Sequence, residues 1–571
     1  MVETSVSIRP IIGEGCEVNR DYPDLHDHLE TLESEGLLLR VETPINKDTE
    51  LHPLVRWQYR GGLSDDERKA FLFDNVVDGK GHSYQMPVVV GALAGSRRIY
   101  EIGMRCRNQV EIEKLWRNAL EKPVEPEVVK KGICQEVVYS EEQLKGEYRG
   151  LGLLPIPIST PGFDNAPYTT CSHFITKDPE TGIRNMGNYR GQVKGSAKLG
   201  MYASDPEQHI YIHWTKWQKK NEHMPAAIVL GAPPVVSYTS VQKIPYGVDE
   251  LSISGGLVGA PIRLVRCVTV PLEVPAEAEI IIEGYIHTDF VEPEGPFGES
   301  HGYMNPRHLS QLLQVTAITT RKDAILASWI SQVAPSESSI IKKSGYELRF
   351  LNHLREACRI ECVKRVEMHE PLTNLHKFII IQMKSPSESD VTRALHAAAS
   401  FQPGFGKIIV AVDDDIDPTN IDAVLWAMCY RMNPEKDVTV ITGLEKGHAP
   451  PFDEINDQIK PLFYPRGSDS ALLCNAILKE AFPPISLPKR EYMERAREIW
   501  NELGLPPLNP ESPWYGYSLG KWSEELDNEA QMAVQGEYYR TGEKLSRRRK
   551  YLEDERKDST NDNRVTDGNG G

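Results

Sequence analysis

Glu292-Pro293-Glu294-Gly295-Pro296-Phe297-Gly298-Glu299 is the densest concentration of chemically capable residues in the chain. Two glycines and two prolines fix a non-repetitive loop, and such a loop can aim carboxylates inward, where desolvation raises a carboxyl pKa enough for proton transfer. The same residue types fit an acidic surface turn equally well. Arg190, in Asn185-Met186-Gly187-Asn188-Tyr189-Arg190, offers a guanidinium that can clamp a carboxylate bidentately, although one arginine in a β-rich stretch more often serves a surface ion pair. His209, in Glu207-Gln208-His209-Ile210, has the chemistry of a metal ligand and, taken alone, of a satisfied structural histidine. Asp413-Asp414-Asp415 closes an apolar run. Carboxyl ends of strands bear ligand sites, but strand-end turns and helix caps use the same residues. GxGxxG, GxxxxGK[ST], GxSxG and HExxH are missing from the sequence. Their absence counts against dinucleotide oxidoreductases, P-loop NTPases, α/β-hydrolases and zincins.

Charge narrows the partners. The 571 residues carry 65 Lys plus Arg against 82 Asp plus Glu, a formal charge of −17, whereas a nucleic-acid binder concentrates positive charge on one face. The one dense basic cluster, Arg547-Arg548-Arg549-Lys550, runs straight into Glu553, Asp554 and Glu555 and reads as a solvated helical face. Nucleic acid is therefore not expected as a partner. Nor is a membrane span, since no run of ~20 apolar residues occurs. Met1 to Arg9 lacks the pattern of a secretory leader, so the expected location is the cytoplasm. Nine cysteines, an odd count without a CxxC pair, fit reduced structural thiols better than a disulfide framework or a zinc site. Cys358 and Cys362 are expected to share a helical face as small core residues.

The elements that must position these side chains follow from periodicity. Asp24 to Leu38 has helical spacing through Leu25, Leu29 and Leu32; Phe71-Leu72-Phe73 and Pro87-Val88-Val89-Val90-Gly91 read as short buried strands; and Glu111 to Leu120 reads as a helix broken by Pro123 and Pro126. These give an N-terminal α/β region over residues 1–150. Residues 151–325 hold short β-rich runs such as His173 to Thr176, Ala227 to Leu230 and Glu279 to Ile286, separated by turn residues as in an antiparallel barrel. Residues 326–490 alternate helices with buried strands, Phe378 to Ile381 and Ile408 to Val412 among them, as in a βαβ-type domain. Residues 491–571 form a charged, helix-prone extension whose last residues, Asp558 to Gly571, are too polar to fold alone.

Read in order, Asn185 to Val193, Gln208-His209-Ile210, Ile244-Pro245-Tyr246-Gly247-Val248-Asp249-Glu250 and Glu294 to Glu299 with His301-Gly302-Tyr303 resemble the UbiD family of reversible decarboxylases that use prenylated FMN. Val412 to Asp417, Asp422 to Ala427 and Arg431-Met432 resemble that family's C-terminal domain, and the similarity spans roughly residues 20 to 480. The resemblance implies a multidomain α/β fold: an N-terminal α/β region, a split β-barrel that binds the flavin, and a C-terminal α/β oligomerisation domain with a helical tail.

Position by position, it implies that Asn185, His209 and Glu250 ligate a divalent ion, Mn2+ or a similar cation, against the cofactor phosphate, a mixed N/O set suited to a hard or borderline metal. Gln208 matches a cofactor-contacting position, and the turn Thr239 to Gln242 matches a stretch that binds K+ through carbonyl oxygens, with different side chains here. Arg190, Glu294 and Glu299 match the catalytic Glu-Arg-Glu network. Arg190 balances a carboxylate, Glu294 positions it, and Glu299 carries the proton that replaces CO2 after a covalent adduct forms with prenylated FMN.

The implied activity is non-oxidative, reversible decarboxylation of an aromatic, heteroaromatic or α,β-unsaturated acid, an aromatic acyl-CoA such as phthaloyl-CoA included. The implied partners are the small-molecule acid, a flavin prenyltransferase that supplies the cofactor, and further copies of the chain in a dimer or hexamer. A flavin-free metal-dependent lyase or hydrolase, or a non-catalytic subunit of a carboxylase complex, would use the same scaffold. The family's C-terminal lysine near the cofactor phosphate has no obvious match in residues 460–469. Arg466 is the candidate replacement, because a guanidinium binds phosphate bidentately; a surface role fits it as well. In the extension, Trp514, Tyr515, Tyr517 and Trp522 read as aromatic anchors for an interface.

Overall fold

A computed structural model of the chain describes residues 21–203, 205–445, 459–462, 467–508 and 520–549. Arg466, Trp514, Tyr515, Tyr517 and the tail from Asp558 lie outside the described residues. The chain divides into two compact units, Met1–Asp414 with Asn433–Ala476, and Asp415–Met432 with Ile477–Gly571. Among the described residues no helix is long and apolar enough to cross a membrane.

The first unit begins with the helix Leu25–Ser34. Asp24 caps it: its carboxylate accepts from the Asp27 amide at 3.0 Å while the Asp27 carboxylate accepts from the Asp24 amide at 3.0 Å, which satisfies two of the donors that every helix start leaves open. Leu25, Leu29 and Leu32 then face the core. A four-stranded sheet follows in the order Leu38–Val41, Ala70–Phe73, Val88–Val90, Leu326–Ser328. Its last strand arrives from beyond the barrel and pairs in parallel with Val88–Val90.

The barrel is a ten-stranded antiparallel sheet, along which Arg184–Asn188, Ser172–Lys177, Met224–Leu230, Ile280–Ile286 and His308–Thr320 are neighbours. Val137–Ser140 and Glu292–Glu294 also pair with His308–Thr320. Met224–Leu230 is buried at every position, and the two-residue alternation of a strand explains how. Ile175, Ala227, Val229 and Ile281 enter one core with the N-terminal helices, whereas Phe174, Ile228, Leu230, Ile280 and Ile282 enter a second core on the opposite face. The continuous apolar runs visible in the sequence are thus strands covered on both sides.

The C-terminal part of this unit is a five-stranded mixed sheet, ordered Val363–Met368, Phe378–Met383, Ile408–Asp413, Ser468–Asn475, Val438–Glu445. The helix Glu388–Phe401 crosses between its parallel strands, buries Val391, Ala394, Leu395, Ala398 and Ala399 on one stripe, and starts in a Ser387–Asp390 capping box. One expectation is corrected. The helix Glu337–Asn352 ends in a π-helical turn, His353–Ala357, so Cys358 caps that turn and Cys362 lies in the connection to the next strand. The two thiols do not share a helical face, and both are only partly buried.

In the second unit, Asp415 is buried and receives the Arg431 fork at 2.8 and 2.5 Å, while the Trp426 ring lies 5.1 Å from the same guanidinium. Asp415 therefore anchors the end of the helix Ile421–Arg431. Trp522 is exposed.

Three buried histidines weaken the fold as pH falls. His28 bonds to the Ala92 carbonyl at 2.7 Å, His52 to the Ser328 hydroxyl at 3.0 Å, and His173 to the Ser237 and Ser240 hydroxyls at 2.9 and 2.8 Å. Burial depresses them to about 4, about 3 and about 3. Each stays neutral in the folded chain but takes a proton in the unfolded chain below roughly 6.5. Their stability contribution is complete above that value and shrinks as pH falls toward the folded values. The thermal midpoint is expected to decline already between roughly pH 6.5 and 5, before most carboxylates protonate, with a shallower decline in His28→Gln. A flat profile across that window would contradict the assignment.

Candidate active site

The strand Arg184–Asn188 lies at the edge of the barrel sheet and carries Asn185. Arg184 at its start donates to Asp249 at 2.6 and 2.9 Å and to Glu273 at 3.1 Å. Asp249 also caps the helix Glu250–Val258 by accepting from the Leu251 amide. One aspartate therefore fixes both the strand and the start of the helix, and Glu250, the first helical residue, is delivered to the strand. Its Oε2 accepts from the Met186 amide at 2.7 Å. Burial pushes the Glu250 carboxyl up, and the neighbouring His209 and the Met186 amide pull it back.

His209 is likewise the first residue of a helix, His209–Lys219, with Gln208 as its N-cap. His209 Nδ1 lies 3.1 Å from Asn185 Oδ1 and 3.7 Å from Glu250 Oε1. An imidazole nitrogen, an amide oxygen and a carboxylate oxygen thus converge, and Asn185 Nδ2 is buried with no partner. That donor set suits a hard or borderline divalent cation. Two helix N-termini meet at the same place, which favours an anion beside it.

Arg190 follows the strand and enters a carboxylate cage. Nε and Nη2 donate to Glu294 at 2.8 and 2.6 Å, a parallel fork, and Nη1 donates to Glu299. The rings of Tyr202 and Phe297 lie 4.9 and 5.0 Å from the guanidinium. Burial opposes the charge of Arg190, but Glu294 and Glu299 outweigh it and hold the guanidinium more firmly protonated than usual. The two glutamates are not equivalent: the Glu294 side chain is fully buried, whereas that of Glu299 is 24% exposed.

The loop expected from sequence is an ordered arch. Glu292–Glu294 pairs with His308–Thr320, and Phe297–Gly298 pairs with Met304–Asn305. Between them Gly295 has φ +95°, and a Cβ there would approach the Pro306 carbonyl to 3.2 Å; its own carbonyl accepts from Asn165 Nδ2 at 2.9 Å. Glycine is required at that position. Behind the arch Asp164, which sequence reading missed, has its carboxyl raised to about 6 by burial against opposing contributions from the Thr160 amide and Arg56.

Asn185, Arg190, Gln208, His209, Glu250 and Glu299 all line one cavity of about 1010 Å³, with Glu294 behind Arg190. Ser240, Val241 and Gln242 of the 239–242 turn line it too. In that turn the Thr239 and Ser240 carbonyls accept from the Gln242 and Asn188 amides. Lys460 and Gly467 reach the cavity, and Lys460 is tied by backbone hydrogen bonds to Arg307 and Leu309; Arg466 lies outside the described residues. Sequence reading also missed Lys243, Lys342, Lys377, His376 and Trp329 in the lining. No spacing rule finds them, because they come from distant segments of the fold. The Lys342-Lys343 pair in the helix Glu337–Asn352 was the available local signal.

Three sequence profiles of one family match the chain: the 3-octaprenyl-4-hydroxybenzoate carboxy-lyase (UbiD) N-terminal domain over residues 29–117, its Rift-related domain over 127–333 and its C-terminal domain over 340–453. An uncharacterized protein of Aquifex aeolicus (strain VF5) is 30% identical over 523 residues, 85% of this chain and 99% of that protein. The UbiD-class enzyme HmfF from Pelotomaculum thermopropionicum, solved in complex with FMN, is 28% identical with a TM-score of 0.71, over 83% of this chain and 100% of that one. An evolved dimeric form of HmfF, solved with prFMN, is also 28% identical with a TM-score of 0.68, over 81% and 97%. Vanillic acid decarboxylase of Sedimentibacter hydroxybenzoicus shares the fold, at 24% identity and a TM-score of 0.71 over 85% and 99%.

The unequal burial of the two glutamates gives an order of stability effects. Glu294→Ala leaves a buried guanidinium short of its bidentate partner and is expected to cost about 3–5 kcal/mol; Glu299→Ala, at a partly exposed position, should cost clearly less. Thermal unfolding of the two purified variants checks the order, and equal midpoints would refute it.

Proposed function

The chain belongs to the UbiD family and is a carboxy-lyase, and we propose that it removes CO2, reversibly and without oxidation, from an aromatic, heteroaromatic or α,β-unsaturated carboxylic acid with prenylated FMN as cofactor. The observation that carries this reading is the convergence of two constellations, Asn185/His209/Glu250 and Arg190/Glu294/Glu299, on one cavity.

Prenylated FMN, when bound, supplies an electrophilic carbon and a sink for the electron pair that the carboxylate leaves behind. Asn185 Oδ1, His209 Nδ1 and Glu250 Oε1 would hold a divalent cation such as Mn2+, and that cation would hold the cofactor phosphate. The carbonyls of the 239–242 turn are the corresponding candidates for K+. Glu294, buried and forked onto Arg190, keeps the guanidinium charged and aimed at the cavity. A substrate carboxylate entering beside Arg190 is a third negative group around one cation, which favours proton uptake by the accessible Glu299. As the carbon–carbon bond breaks and CO2 departs, the carboxylic acid of Glu299 delivers its proton to the carbon that bore the carboxylate, and Glu299 becomes a carboxylate again.

A flavin prenyltransferase would supply the cofactor, and further copies of the chain would complete the assembly. The competing reading is a flavin-free metal-dependent lyase on the same scaffold. Protein co-expressed with a flavin prenyltransferase is expected to release prenylated FMN at close to one per chain, by mass spectrometry and absorbance. Bound metal without any flavin would favour the competing reading.

Two variants separate the roles. Glu299→Gln should retain the cofactor yet lose turnover by roughly 10²–10⁴-fold, and normal turnover would remove Glu299 from proton transfer. His209→Ala should lower both metal content and flavin occupancy; unchanged values of both would take His209 out of the metal site.

A further inference from the structure

A second set of metal-type donors gathers away from the cavity. The strands Met224–Leu230 and Ile280–Ile286 are antiparallel neighbours in which Met224 faces Ile286. The residues just beyond that end of the ladder, His223 and His287, are therefore set opposite one another. Their rings lie 4.6 Å apart and cross at 62°. Asp289 joins them: its Oδ1 is 3.3 Å from His287 Nδ1 and 3.8 Å from His223 Nδ1. One donor atom from each of the three residues falls within 4.8 Å of the others. None of the three lines the cavity that holds Arg190.

The backbone that carries these side chains is fixed from the helix His209–Lys219. Trp214 and Gln218, four residues apart and so on one helical face, donate to the consecutive carbonyls of His287 and Thr288 at 2.8 and 2.9 Å. The buried Thr288 donates its hydroxyl to the Glu222 carbonyl at 3.0 Å, and the His287 amide donates to the Leu312 carbonyl at 2.9 Å. The two loops are thus held against each other before any ion arrives. An ion held tetrahedrally at about 2.0–2.1 Å keeps its ligands about 3.4 Å apart. The observed 3.3 and 3.8 Å need only small side-chain rotations to meet that spacing. Two imidazoles on one carboxylate oxygen also exceed what a hydrogen bond to either ring requires.

We propose that His223, His287 and Asp289 bind a borderline divalent transition ion, Zn2+ above all, with water in the remaining position, and that this ion clamps the turn before Met224–Leu230 to the loop after Ile280–Ile286. Side-chain exposures of 44, 21 and 64% leave the ion a path in from solvent. Two imidazoles with one carboxylate favour Zn2+ over Mn2+, which distinguishes this set from Asn185/His209/Glu250 with its single imidazole and two oxygens. Loops distant in sequence build the site, so the unfolded chain lacks it and binding stabilises the fold. The site serves the fold and takes no part in the proposed decarboxylation.

The test is Zn2+ uptake by the untagged full-length chain after removal of metal with a chelator, followed by titration calorimetry and by metal analysis after gel filtration. The parent is expected to hold an additional Zn2+ that His223→Ala and His287→Ala lack, their affinity at this site falling roughly tenfold or more. Asp289→Asn, which keeps an amide oxygen, should retain part of that affinity. His209→Ala should keep the additional ion, because the residue it removes belongs to the other set. His223 is largely exposed, so the midpoint of His223→Ala in chelator should equal that of the parent. Zn2+ should then raise the parent's midpoint further than the variant's. Equal zinc content and affinity in the parent and His223→Ala overturn the proposal, as does equal stabilisation of the two by Zn2+.

Discussion

A guanidinium removed from water must be balanced where it lies, and the buried Arg190 is balanced by carboxylates delivered from a different part of the chain. Glu294 reaches it only because Glu292–Glu294 is hydrogen-bonded to the long strand His308–Thr320, and Glu299 only because the Phe297–Asn305 hairpin folds back beyond Gly295. Arg190 in turn follows the edge strand that carries Asn185. The cation and its two anions therefore register three segments of the barrel against one another. A half-satisfied version would leave a desolvated charge and cost more than the complete cage returns.

The same logic recurs where no chemistry is expected. Arg184 shares Asp249 with the amide of Leu251, Arg431 forks onto Asp415, and Lys343 sits between Glu347 and Glu367. In each case a buried or half-buried cation ends with its carboxylate in place. Strands of the barrel covered on both faces supply two apolar cores, and that burial offsets the cost of desolvating such ion pairs.

Local physics was legible in the sequence wherever it was sufficient. The helix after Asp24 and the buried runs at residues 71–73, 88–90 and 227–230 follow from period and turn residues alone, and they fall within the strands Ala70–Phe73, Val88–Val90 and Met224–Leu230. Motif order supplied Asn185, Arg190, Gln208, His209, Glu250, Glu294 and Glu299, none of which stood out singly from its bland reading. What was not legible depends on distant segments. The π-helical turn at His353–Ala357 removed Cys358 and Cys362 from a shared face, because a four-residue spacing reports a common face only while the helix keeps its regular pitch. Lys342 and His376 gain their meaning from a cavity that the linear sequence does not display.

The strand Leu326–Ser328 has a consequence for how the chain is made. It completes the N-terminal sheet by pairing with Val88–Val90, so during translation that sheet must wait, its edge unpaired, until the whole barrel has left the ribosome. Synthesis at about 5–20 residues per second makes that wait one of many seconds. An open strand edge recruits other strands. The N-terminal sheet thus cannot be finished as a separate unit, however early it is translated.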